Sequence, residues 1–138
     1  MTAQAYGNDA TQRRDRADQE SSARADAIAR LAARRDDLRA QLRSLSDDES
    51  ESGRPRFSNH LAEDAQDQQQ RQGAAVVRQM LINDLRQVEH ALERSEREQY
   101  GICEDCGHDI PPRRLVVIPD ATLCVSCQAQ REARRSAH

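Results

Sequence analysis

The sequence predicts a mainly α-helical protein in which a long antiparallel coiled-coil hairpin precedes a small lobe built around four cysteines. Three observations support this fold class. First, 33% of the 138 residues are charged and only 2% are aromatic, so a compact globule would lack the large apolar side chains that stabilise one. Second, apolar residues recur at helical spacing in two separate segments. Third, the cysteines form two closely spaced pairs near the C-terminus.

The first helix is predicted from about Thr11 to Leu45, where residues of high helix propensity predominate. Its apolar residues alternate at spacings of 3 and 4, with an arginine at the one missing step: Ile28, Leu31, Arg35, Leu38, Leu42 and Leu45. This pattern is a heptad seam, and a seam this narrow needs a partner helix to bury it. Residues 1–10 have no apolar pattern and are expected to be disordered.

A tip loop is predicted near residues 46–60, because Gly53 and Pro55 lie there among short polar side chains. Ser58 or Asn59 is expected to cap the second helix. That helix has a second seam, with a 4-4 irregularity near Leu81 that is expected to unwind the supercoil locally: Ala74, Val77, Leu81, Leu85, Val88, Leu92 and Ser95.

The two seams are expected to pair within one chain, which gives an antiparallel coiled coil over residues 11–99 and a monomer. The seams are of similar length, and the segment between them is rich in helix breakers. The alternative is a parallel homodimer that forms through either helix.

The lobe at residues 100–138 is predicted to hold one structural zinc ion. Cys103 and Cys106 form one C-x-x-C pair, and Cys124 and Cys127 form a second pair after 17 intervening residues. The short spacing lets two thiolates bind one ion from a single turn, and the second pair completes the tetrahedron. Four thiolates leave no open position for a catalytic water, so the site is structural and the protein is not expected to be an enzyme.

Other uses of the cysteines fit the sequence less well. A thioredoxin-like redox motif would need a βαβ setting, and disulfides would need an oxidising compartment. His108 lies close to Cys106 but is not expected to be a zinc ligand. Between the pairs, the β-prone residues Leu115 to Ile118 predict a short strand, and the residues from Cys127 to about Ser136 predict a short helix.

Composition also limits the function. The formal net charge of −3 disfavours general nucleic-acid binding. No apolar run approaches the length of a membrane span, and the polar N-terminus lacks the apolar region of a secretory signal, so a cytoplasmic location is expected. The alternative function is a zinc-ribbon DNA-binding protein. Residues 101–138 hold five Arg and five acids, so no basic face is evident, although Arg131, Arg134 and Arg135 could contact phosphates.

The cysteine lobe resembles the zinc finger of the TraR/DksA family. The resemblance is carried by the run from Tyr100 to Ile110, then by Arg113-Arg114-Leu115, Pro119 and the second cysteine pair. The preceding coiled coil matches the long members of the family. The resemblance implies a transcription regulator that binds bacterial RNA polymerase through its secondary channel and alters initiation without contacting specific DNA sequences.

The resemblance also implies a functional tip on the hairpin. Family members have two acids three residues apart, followed two residues later by Ala, and the corresponding residues here are His60, Glu63 and Ala65. His60 replaces the first acid, and Asp64 lies nearby. From Asp47 to Asp67 the formal charge sums to −5, from seven acids and two arginines. Such a tip could act on magnesium or on basic loops of the polymerase, whereas the simpler interpretation is a solvated loop and a capped helix.

The resemblance further implies a site for ppGpp, the alarmone of the stringent response, which in the family binds jointly to the factor and the polymerase through basic side chains. Those positions correspond here to Met80, Gln87 and Gln128, none of which is charged. A highly charged nucleotide needs Arg or Lys partners to replace its hydration. The protein is therefore expected to act without ppGpp or to respond to it only weakly.

Overall fold

The computed structural model describes residues 7–52 and 61–137, with side chains described for residues 10–47 and 68–137. Four helices follow one another along the chain: α1 (Gly7–Ser52), α2 (Leu61–Glu96), α3 (Pro112–Val117) and α4 (Val125–Ser136). Extended pairing in these described segments consists of one isolated antiparallel bridge between Ile102 and Asp109. None of the helices in the described ranges combines the length and the apolar character that a membrane crossing requires.

Helices α1 and α2 form a helical hairpin, as the two seams predict. The residues between them, 53–60, can span at most about 28 Å when fully extended. Helix α1, with 46 residues, is about 69 Å long. A connection of this length cannot return the chain to the start of α1, so the two helices run in opposite directions. The predicted mainly α-helical fold is confirmed.

The chain divides into two compact units. The central unit comprises residues 33–89, and the terminal unit comprises residues 1–32 and 90–138. In the central unit, Leu38 and Val88 are buried. Two ion pairs link α1 to α2 there, Arg34 with Asp84 at 3.3 Å and Arg39 with Glu89 at 2.6 Å. All four side chains are about half exposed, so each pair contributes at most about 1 kcal/mol.

The seam of α2 is more regular than the sequence predicts. Val77 is 49% exposed and does not lie on the buried face. Arg78 is partly buried instead, so positions 74, 78, 81, 85, 88, 92 and 95, all at least partly covered, follow an unbroken alternation of 4 and 3, and the buried Ala91 lies beside them. The predicted irregularity near Leu81 is therefore wrong. An arginine can occupy a seam position because its aliphatic stem covers apolar surface while its guanidinium reaches water.

The ends of the predicted segments also differ from the structure. Helix α1 begins at Gly7, so residues 7–10 are helical rather than disordered, and residues 1–6 lie outside the described range. It continues to Ser52, beyond the point near residue 46 where the tip loop was expected to begin. The segment 46–52 contains no Gly or Pro, and nothing in it stops a helix that is already propagating. The predicted caps Ser58 and Asn59 lie outside the described residues.

A Schellman motif ends α2 at the base of the cysteine lobe. The amide of Gln99 donates to the carbonyl of Arg94 at 2.8 Å, and the amide of Glu98 donates to the carbonyl of Ser95 at 3.2 Å. Glu98 has a φ of 57°, in the left-handed region that this motif requires and that glycine usually supplies. The chain thereby leaves the helix axis just before Tyr100.

The strand predicted between the cysteine pairs is wrong, because these residues form helix α3. Pro112 is its first residue, where a missing amide hydrogen costs nothing and a fixed φ favours the helix. Leu115 is buried, whereas Val116 and Val117 are at least half exposed. Local helix initiation and the burial of one leucine outweigh the β propensity of the valines. The helix predicted after the second pair is present as α4.

Candidate metal centre

The first cysteine pair lies in a tight knuckle that follows the end of α2. The amide of Cys103 donates to the carbonyl of His108 at 2.8 Å, and the amide of Gly107 donates back to the carbonyl of Cys103 at 2.9 Å. Gly107 has a φ of 70°, which a residue without a side chain adopts without strain. This reversal brings both thiols of the pair to one side of the knuckle.

The second pair is positioned by the start of α4. Cys124 is the N-cap residue of the helix, and Cys127 lies in its first turn and is buried. Two hydrogen bonds from backbone amides join this segment to the knuckle. The amide of Cys124 donates to the sulfur of Cys103 at 3.3 Å, and the amide of Glu104 donates to the carbonyl of Thr122 at 2.9 Å. An amide that points at sulfur favours the thiolate form, which is the form that binds a metal.

The four sulfur atoms converge on one point. They all lie within 4.8 Å of one another, and the sulfurs of Cys106 and Cys124 are 3.9 Å apart. In a tetrahedral site with zinc–sulfur bonds of about 2.3 Å, sulfur atoms are about 3.8 Å apart. The cluster therefore fits one zinc ion with slight contraction. Among the residues whose side chains are described, it is the one group of potential metal ligands.

The local hydrogen bonds distinguish the thiols of the second pair. The pKa of Cys124 is lowered to about 6, first by the hydroxyl of Ser126 and then by the amide and thiol of Cys127. The sulfur of Cys124 lies 3.1 Å from that hydroxyl. The pKa of Cys127 is raised, chiefly by its closeness to Cys124.

His108 does not belong to the cluster, and it contributes its backbone carbonyl to the knuckle instead. Four residues are predicted to form the hairpin tip: His60, Glu63, Asp64 and Ala65. His60 lies outside the described residues, and the side chains of Glu63, Asp64 and Ala65, at the start of α2, are also outside them.

A polar network that the sequence did not reveal attaches the knuckle to α2. Glu104 accepts from Arg94 at 2.7 Å and contacts the ring nitrogen Nε2 of His90 at 2.5 Å. Burial alone would raise the pKa of Glu104, but hydrogen bonds, with His90 and Arg94 foremost, outweigh it and lower the pKa. Arg94 also donates to the carbonyls of Gln99 and Ile102, at 3.0 and 2.6 Å. One largely buried guanidinium thus holds the end of α2, the connecting turn and the knuckle together.

Two further donors attach the remaining segments of the lobe. Arg114 of α3 donates to the carbonyl of Leu123 at 3.1 Å, directly before the second cysteine pair, and to the side chain of Gln128. The buried Tyr100 donates its hydroxyl to the carbonyl of Pro119 at 2.7 Å. Because the lobe buries few large side chains, these bonds and the metal supply the order that a larger apolar core would otherwise provide.

The fold and site define a helical-hairpin protein with a four-cysteine zinc centre. Residues 98–133 match the family model described as the prokaryotic dksA/traR C4-type zinc finger. The RNA polymerase-binding transcription factor DksA of Escherichia coli is 40% identical over 50 residues, which are 36% of this chain and 33% of that protein. An uncharacterized protein of Aquifex aeolicus is 45% identical over 51 residues, 37% of this chain and 35% of that protein. The chain thus aligns with about a third of the length of these relatives.

The likeness extends beyond the lobe in a solved structure. Transcription factor DksA2 from Pseudomonas aeruginosa has a TM-score of 0.71 and 28% sequence identity, over 85% of this chain and 88% of that one. This similarity includes both the long helices and the cysteine lobe. Residues 98–133 thus carry a zinc finger of the dksA/traR C4 type, and its four cysteines form a structural zinc site.

Proposed function

We propose that this protein is a transcription regulator that binds bacterial RNA polymerase through its secondary channel and modulates initiation without sequence-specific DNA binding. In this proposal Cys103, Cys106, Cys124 and Cys127 hold the zinc ion, and the hairpin tip acts at the polymerase active centre. The observation that carries the proposal is the likeness to DksA2 over 85% of the chain, long helices included. A zinc ribbon that bound DNA by itself would have no need of these helices.

The charge of the lobe supports a protein partner over DNA. Residues 101–138 carry equal numbers of arginines and acids, and a zinc ion with four thiolates adds a net charge of −2. Two of the five arginines are engaged within the lobe: Arg114 by Leu123 and Gln128, and Arg131 by Asp105. The arginines do not outnumber the acids, and the zinc centre is itself negative, so the lobe has no net positive charge to offer phosphates.

A direct test uses the tagged full-length chain to capture purified bacterial RNA polymerase, with a variant that lacks residues 48–66 as the comparison. Both forms are expected to retain polymerase, because affinity should come from the helices and the lobe rather than from the tip. Failure of the intact chain to retain polymerase, together with a salt-dependent mobility shift on random DNA, would favour the DNA-binding alternative instead.

The role of the tip is tested by Glu63→Ala in promoter-dependent transcription in vitro. The variant should lose the effect on transcription while its polymerase affinity stays within a few-fold of the native value. Glu51→Ala removes an acid of the same region outside the family motif and serves as the matched control. If Glu63→Ala acts on transcription as the native protein does, Glu63 is only an acid in the first turn of α2, which favours the helix start.

We also infer that ppGpp is not a strong co-regulator of this protein. Met80 is 62% exposed and presents no charge. The side chain of Gln128 is bonded to Arg114 and to Glu132. Neither position offers the cation that a highly charged nucleotide requires.

The comparison is transcription with the protein alone, with ppGpp alone and with both, using polymerase from the same organism. Additive effects are expected. Strong synergy would contradict the inference and would direct attention to Arg78, Arg86 and Arg131 as substitute ligands.

A further inference from the structure

An ion pair joins the two halves of the metal centre across 26 residues of sequence. Asp105 lies inside the first cysteine pair, between Cys103 and Cys106. Arg131 lies on α4, four residues after Cys127. Its Nε donates to Oδ2 of Asp105 at 2.9 Å, and its Nη2 donates to Oδ1 of the same carboxylate. The contact is therefore a two-pronged guanidinium–carboxylate pair with defined orientation rather than a single charge contact.

The position of the pair suggests what it does for the metal. Four thiolates enclose a tetrahedral ion on all sides, so separation of one pair of sulfurs from the other opens a route for its release. Separation of the knuckle from α4 also breaks the Asp105–Arg131 pair, since each half of the site carries one partner.

We propose that Asp105 and Arg131 are positioning residues that hold the two cysteine pairs together and slow the release of zinc. The pair acts as a second link parallel to the metal and lies outside the set of ligands. The inference rests on the zinc centre and is independent of polymerase binding, so either can fail without the other. The side chains of Asp105 and Arg131 are partly exposed, at 33% and 48%, so the pair contributes only modestly to the free energy of folding. The proposal therefore concerns the rate at which the metal site opens.

The test measures zinc transfer from the zinc-loaded full-length protein to an excess of a chromophoric chelator, under conditions where the rate no longer depends on chelator concentration. Arg131→Gln and Asp105→Asn should each release zinc about tenfold faster, the lower end of the effect of removing an outer-shell partner. The double variant should release zinc no faster than either single variant, because both substitutions remove the same contact.

The dependence of the zinc-release rate on salt distinguishes loss of the ion pair from a general loss of packing. The partly exposed pair is screened by high ionic strength, so the native rate should approach that of Arg131→Gln at about 1 M salt. Arg135→Gln is the matched control, because it removes the same charge from the same helix one turn beyond Arg131, the residue that donates to Asp105. Asp105→Asn leaves the sequence of α4 untouched, so its result stands even if Arg131→Gln weakens the helix.

Three results would overturn the proposal. Native release rates in both single variants would show that the pair does not restrain the site. An equal acceleration in Arg135→Gln would show a general charge effect. Single effects that multiply in the double variant would show that the two residues act independently.

Discussion

Glu98 provides a test of how the helix is joined to the metal lobe. It is the one non-glycine residue with a positive φ in the described backbone, at 57°. This conformation costs a side-chain-bearing residue about 1–2 kcal/mol, whereas glycine adopts it freely. Glycine in turn increases the entropy of the unfolded chain, which offsets about 0.5–1 kcal/mol. Relief of the backbone in Glu98→Gly should therefore raise the free energy of unfolding by about 0.5–1 kcal/mol.

The effect of removing the Glu98 carboxylate on the free energy of unfolding must be separated from the effect of relieving its strained φ. A carboxylate near the C-terminal end of a helix is unfavourable to the helix dipole, so any neutral residue at position 98 contributes about 0.3–1 kcal/mol more. Glu98→Ala has this benefit but keeps the strained φ. The glycine variant should therefore exceed the alanine variant by about 0.5–1 kcal/mol in free energy of unfolding, or about 2–3 °C in the midpoint of thermal unfolding.

The assay is unfolding of the full-length protein in excess zinc, followed by circular dichroism at 222 nm and by tyrosine fluorescence. Coincident midpoints from the two signals test whether the transition is cooperative. The motif described at the end of α2 predicts the order glycine, alanine, native from most to least stable. If Glu98→Gly is no more stable than Glu98→Ala, the left-handed turn does not limit stability and the reasoning fails.

Three further predictions concern the lobe. Cys124→Ser should lose zinc and loosen residues 101–138 while α1 and α2 stay helical; zinc content and far-UV circular dichroism test this, and full zinc occupancy would contradict the site. Gly101→Ala should destabilise by about 2 kcal/mol, because Gly101 has a φ of 83° and an added Cβ would lie 3.3 Å from a side-chain carbon of Leu115. Gly73→Ala, at a helical glycine with nothing within 4 Å of the added carbon, is the control and should stabilise by about 0.5–1 kcal/mol. Tyr100→Phe should cost about 1 kcal/mol at neutral pH through its lost hydrogen bond. Burial raises the pKa of Tyr100, so its neutral form contributes stability that is present below the unfolded pKa of about 10 and lost as pH rises through the folded value. The urea midpoints of the two proteins should therefore converge in alkali, whereas a constant gap would show that the phenol does not titrate with folding.

The hairpin and the cysteine site could be predicted because both depend on local spacing. Leu31 and Leu38 are buried where the heptad pattern predicts, and the spacing of the cysteines matches the geometry of a tetrahedral ion. The pattern failed at Val77 because hydropathy alone prefers valine to arginine at a seam position. The unbroken 4-3 spacing that includes Arg78 was present in the sequence and could have been recognised.

The contacts that assemble the lobe could not be predicted. Arg94 reaches Glu104 and Arg131 reaches Asp105 only because the knuckle and α4 have already folded around the cysteines. No periodic signal relates such residues, and a single sequence holds no record of which charges meet. Helix α3 also depends on this context, since its valines favour a strand until Pro112 starts a helix beside the buried Leu115.

Many hydrogen bonds that hold the lobe together end on main-chain carbonyl oxygens, and this affects which positions can change in sequence. Several side-chain donors of the terminal unit bond to main-chain oxygens: Arg30 to Val116, Arg94 to Gln99 and Ile102, Tyr100 to Pro119, and Arg114 to Leu123. Every amino acid carries a carbonyl oxygen, so the acceptor positions can change without loss of the bond, whereas the donors cannot. A saturation scan should therefore find the donors restricted and their exposed acceptors, such as Val116 and Gln99, permissive. Such a lobe can change its surface for new partners while its internal attachment stays the same.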